Sequence, residues 1–184
     1  MNLLASSGQL RASVLRWALL FVPLIVFLGI VSSQLSGSGA SGPWFAALEK
    51  PAIYPPPAAF GIVWTILYAL MGVALALVVA ARGAPGRKAA IVAFAIQLAL
   101  NLAWSPLFFG QHQITGAFVL ICALDLAVIV TIALFWRVRP LAGVLLLPYL
   151  AWILFATVLN FQFMTMNPRL DGQAVSGPVQ RIEF

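Results

Sequence analysis

Between Lys50 and Arg82 the chain runs through thirty-one residues without a charge, opening PAIYPPPAAF and continuing GIVWTILYALMG. A helix needs about 20 apolar residues to cross a hydrocarbon core about 30 Å thick. This stretch supplies them behind a proline-stiffened, aromatic-bearing approach. Water-soluble proteins have little use for that combination.

The remaining sequence repeats the pattern. The chain is 63% apolar and 8% charged, with mean hydropathy +1.05, and its charges fall near the ends of apolar runs except at Asp125. Composition therefore indicates an integral membrane protein. A net charge of +6 would suggest nucleic acid in a soluble chain. Here the basic residues stand singly or in small groups between apolar runs, where they orient spans, and no nucleic-acid partner is expected. Cys122 is the one cysteine, which excludes an intramolecular disulfide and a CxxC metal site.

Five spans are expected, over Trp17–Leu35, Phe60–Ala81, Ala89–Phe109, Ile114–Trp136 and Leu141–Phe163. The dyad alternation of a membrane β-barrel is absent, so the fold class is all-α, a five-helix membrane bundle. Breaks at Gly83, Pro85 and Gly86, at Gly110 to Gln113, and at Arg137 to Pro140 are short, which makes sequential spans antiparallel neighbours. The organisation read from the chain is an amino-terminal tail over 1–15, a membrane domain over 16–166 and a mobile carboxyl-terminal extension over 167–184. The first run also resembles a signal peptide, but its length favours a retained span. Seven basic residues fall on the amino-terminal side and three opposite, which predicts the amino terminus inside and the carboxyl terminus outside.

Polar and aromatic residues within the spans mark a candidate pocket. Gln97, Asn101, Trp104 and Phe108 step along one stripe of the third span, Trp64 and Tyr68 share a face of the second, and Trp152 and Ala156 share a face of the fifth. Such walls suit a large, flat, mostly apolar ligand, although each aromatic also fits simple interhelical packing. Trp17 and Trp136, at span ends, read as interfacial belt residues. Asp125 is expected to hydrogen-bond between helices, and His112 to be a solvated loop histidine rather than a haem ligand. The small-residue stripes Gly72, Ala76, Ala80 and Ala95, Ala99, Ala103 each permit close helix approach, and a homodimer through the third span is expected.

The blocks WFAALEKP from Trp44, PPP from Pro55, WTILYALMG from Trp64, QLALNLAWSPLFFG from Gln97, Asp125-Leu126, PYLAW from Pro148 and Leu159-Asn160-Phe161 together resemble the TspO/MBR family, the tryptophan-rich sensory and translocator proteins. The resemblance implies a commonly dimeric five-helix bundle that binds porphyrins such as protoporphyrin IX, with no cofactor required. It places Trp64, Asn101 and Trp152 in the pocket and Trp44, Lys50-Pro51 and Pro55-Pro56 in a loop closing over it. It also carries the alternative of light- and oxygen-dependent porphyrin degradation, with Trp64 and Trp152 as the oxidised centres. A third reading is a structural or partner-binding membrane component. The chain departs from the family at Ala52-Ile53-Tyr54, where a tryptophan is usual. The cholesterol signature is broken as well, since Leu159-Asn160-Phe161 is followed by no basic residue before Arg169.

Overall fold

The computed structural model describes residues 7–37 and 39–173. Helix α1 spans Ser7–Leu35 and the short helix α2 Pro43–Ala47; α3 is Pro57–Ala80, α4 Arg87–Ser105, α5 Ile114–Val138, α6 Pro140–Leu145 and α7 Leu147–Met166. Among the described residues there is no strand. The five expected spans are α1, α3, α4, α5 and the α6–α7 pair, all long and apolar enough to cross a membrane. Helix α1 lies on α3, α4 on α5, and α5 on α6 and α7.

Prolines set several boundaries. Helix α3 begins at Pro57, three residues before the expected start, because proline at the first helical position has no amide to leave unpaired. The fifth span is interrupted at Leu146, whose amide turns to the Gly143 carbonyl at 3.1 Å. Pro148 lacks the N–H that would have bonded Val144, so the ladder breaks there and restarts as α7. Pro106 has a related effect after α4: residues Pro106–Gly110 form a π-helical turn closed by the Gln111 amide on the Pro106 carbonyl at 3.0 Å. Such a turn alters the direction of the side chains that follow it, here Phe108 and Phe109.

The first apolar run is packed into the bundle. A Cβ on Gly72 would lie 2.7 Å from the Cα of Val22, so glycine alone admits this approach of α3 to α1. Ala76 and Ala80 continue the buried stripe, while Ala95, Ala99 and Ala103 of α4 face outward. The α3–α4 link is held by Arg87, whose guanidinium donates to the Val79 carbonyl at 2.8 Å and complements the carboxyl end of α3.

The described parts of both tails join the bundle. Residues from Ser7 onward, placed in a 1–15 tail, are already helical, because α1 extends beyond its apolar run. The carboxyl-terminal extension from 167 is hydrogen-bonded to the bundle over its described part, 167–173. Asp171 accepts the Ile114 amide at 2.6 Å and caps α5, and the Gly172 amide donates to the His112 carbonyl at 2.8 Å. Residues 174–184 lie outside the described residues.

Candidate functional site: an aromatic cavity beneath a clasped lid

Toward the α2 end of the bundle, the carboxyl half of α1, the amino half of α3, α4 with its π turn, and α7 enclose a cavity of about 390 Å³. Its aromatic walls follow from helical spacing. Trp64 and Tyr68, one turn apart on α3, stack with centroids 5.2 Å apart, and Trp104 stacks on Phe108 at 5.0 Å. Trp152 comes from α7, where Phe60 meets it edge-on at 5.9 Å.

Amides hold these rings in place. The Tyr68 hydroxyl donates to Asn101 Oδ1 at 3.0 Å, and the Trp104 indole donates to Asn160 Oδ1 at 3.1 Å. Asn160 Nδ2 in turn donates to the Ile114 carbonyl at 3.1 Å, which leaves that side chain satisfied at both ends. The Trp152 indole N–H is buried and has no acceptor among the described residues. Behind the wall, the Tyr149 hydroxyl donates to Gln97 Oε1 at 3.0 Å, so Gln97 braces α4 against α7 instead of facing the cavity.

Seven of the expected site residues meet here: Trp64, Tyr68, Asn101, Trp104, Phe108, Trp152 and Ala156. Trp44 and Pro51 do not line the cavity. Trp44 is 2% exposed, packed edge-on against Phe108 and stacked on His112 at 4.5 Å, with its indole donating to the Leu170 carbonyl at 3.0 Å. It anchors the loop, and Phe45 is the α2 ring that reaches the cavity. Pro51 is buried in the turn closed by the Tyr54 amide on its carbonyl at 2.9 Å. His112, expected in solvent, is instead half-buried against Trp44, with its backbone in the left-handed region at φ 58°.

Residues 39–56 form the loop expected to act as a lid, and Gly39, Ala40, Phe45 and Tyr54 of this loop line the cavity. Asn167 grips the loop through both ends of its amide: Oδ1 accepts the Glu49 amide at 2.7 Å and Nδ2 donates to the Glu49 carbonyl at 3.0 Å. Lys50 donates to the carbonyls of Phe45 and Leu48 at the end of α2, and burial lowers its pKa from the ordinary lysine value. Burial raises the Tyr54 phenol, which keeps it protonated as a cavity-lining group.

Sequence reasoning missed the α1 wall. Gly29, Ser32, Ser33 and Ser36 face the cavity; Ser32 donates to the Leu102 carbonyl at 2.6 Å, and Ser36 pairs with Ser105 at 2.8 Å. The spacing of small residues from Gly29 to Ser36 was the available signal, but the uniformly apolar surroundings concealed which face was internal. Asn160, near the Trp152 and Ala156 face in sequence but not among the expected binding residues, also lines the cavity.

Five spans enclosing a cavity under a structured loop define a polytopic α-helical membrane protein with an intrabundle cavity. The chain belongs to the TspO/MBR family, whose model matches residues 21–166. It is 39% identical over 153 residues to the tryptophan-rich protein TspO of Chlorobaculum tepidum, covering 81% of this chain and 94% of that one. It is 37% identical over 128 residues to protein CrtK of Rhodobacter capsulatus, covering 69% and 80%. Similarity extends to the translocator protein of Homo sapiens, 42% identical over 120 residues that cover 64% of this chain and 71% of that one.

Proposed function

We propose that this protein is a membrane receptor or transporter for tetrapyrroles, protoporphyrin IX and haem precursors among them, and for other flat apolar ligands. The observation that carries the reading is the cavity of about 390 Å³ walled by Trp64, Tyr68, Trp104 and Trp152. Its volume falls within the usual small-molecule range of about 300–1,000 Å³, and its walls offer ring faces with a few N–H groups. The lid over residues 39–56 admits and retains the ligand. No cofactor enters this reading; the porphyrin is the ligand. The protein works as a homodimer surrounded by membrane lipid, with its amino terminus inside, in keeping with the distribution of basic residues.

Titrating protoporphyrin IX into Trp64→Phe and Trp152→Phe, and following its absorbance, tests the assignment. Each substitution keeps a ring and removes the larger indole face and its N–H, so affinity should fall about three- to tenfold with the fold intact. Unchanged titrations in both single variants and in the double variant would reject this pocket as the porphyrin site.

A further inference from the structure

We infer that the cavity selects its ligand by charge: the part of a ligand that enters is uncharged, and a tetrapyrrole with esterified carboxylates binds at least as tightly as the diacid. The inference rests on the tetrapyrrole reading and narrows its ligand class. Among the described residues that line the cavity there is no lysine, arginine, histidine, aspartate or glutamate. Much of the polar lining is already engaged, through Ser36 with Ser105, Tyr68 with Asn101 and Trp104 with Asn160. A carboxylate taken from water into such a lining would lose its hydration without gaining a counter-charge, which is strongly disfavoured.

The lid does not supply that counter-charge. Its one cation, Lys50, is turned onto the carbonyls of Phe45, Ala46 and Leu48, and Glu49 stands beside it in the chain. The position of the opening points the same way. The exposed lining residues are Ile30, Ser33, Gly61 and Thr65 of α1 and α3, together with Ala40 of the lid and Pro57 at the start of α3, so the open side runs from the lid down between two spans. Thr65 sits two turns inside α3, at a depth where the surroundings are hydrocarbon. A ligand arriving by that route has already left its charges behind or holds them at the interface.

The test uses the full chain in lipid nanodiscs and two matched pairs: protoporphyrin IX with its dimethyl ester, and 1-pyrenebutyric acid with its methyl ester. Equilibrium binding is corrected for the partition of each probe into empty nanodiscs. Each ester is expected to bind as tightly as its acid or more tightly, and Trp64→Phe is expected to weaken acid and ester of a pair by the same factor. An acid that binds about tenfold tighter than its ester in either pair overturns charge selection. So does an ester whose binding ignores Trp64→Phe, because it then sits elsewhere. If neither tetrapyrrole binds while the pyrene ester matches or exceeds its acid, the tetrapyrrole reading fails and charge selection stands. If no probe saturates, both fall.

Discussion

Asp125 sits within α5 at 8% exposure, and its recorded partner is a hydroxyl: Thr157 of α7 donates to its Oδ2 at 2.8 Å. The other oxygen, Oδ1, is buried and has no partner among the described residues. Asp125 is not a cavity-lining residue, although its neighbour Leu124 is, so the acid ties α5 to α7 behind the site. An amide can accept the same Thr157 bond, and Asp125→Asn should therefore fold and bind as the parent does. Asp125→Leu removes the acceptor, but Thr157 already shares its hydroxyl with the Ile153 carbonyl at 2.9 Å, which limits the loss to about 1 kcal/mol. Unfolding in a graded detergent series measures both variants. A well-folded Asn variant that no longer binds porphyrin would give the carboxylate a direct role in binding.

The lid is held by an element that sequence pattern alone does not mark. Asn167 lies 118 residues from Glu49 and offers its backbone one donor and one acceptor, as a neighbouring strand would. Asn167→Ala leaves the Glu49 amide without that acceptor, a loss of about 1–3 kcal/mol concentrated in the loop. Hydrogen exchange should quicken over residues 44–50 while α3, α5 and α7 keep their protection. Equal exchange in parent and variant would show that the lid is held by Trp44 and Lys50 without this clasp. The five spans were legible because charge-free runs of membrane length have few other uses, and the walls of α3, α4 and α7 were legible because aromatics recurred at helical spacing. The clasp was not: Asn167, Asp171 and Gly172 lie in a polar, aperiodic stretch whose composition is that of a loose tail, and only tertiary hydrogen bonds distinguish it. The placement of Trp44 was hidden for a similar reason. A tryptophan beside a pocket can line it or anchor its cover, and the choice depends on partners as distant in sequence as Leu170.

The whole molecule separates its two small-residue stripes. That of α3 is used internally, with Gly72 against Val22 and Ala76 fully buried, whereas Ala95, Ala99 and Ala103 of α4 remain on the outer surface beside Val92 and Ile96. Asn101, two residues from Ala99, points inward to the cavity. A dimer formed through α4 would therefore leave the site intact, and Ala99→Phe should shift the detergent-solubilised protein toward monomer without loss of porphyrin binding. Light scattering coupled to size exclusion measures this, and a variant that stays dimeric rules out this surface. The position of the tryptophans has another consequence. Of six, Trp64, Trp104 and Trp152 are cavity wall and Trp44 lies against Phe108 at its cover, which leaves Trp17 and Trp136 elsewhere. Near-ultraviolet emission from this protein thus arises mainly around one site, and resonance transfer to a bound chromophore weakens steeply with distance. A tetrapyrrole seated there would quench this emission, so intrinsic fluorescence would report occupancy of the cavity without any label.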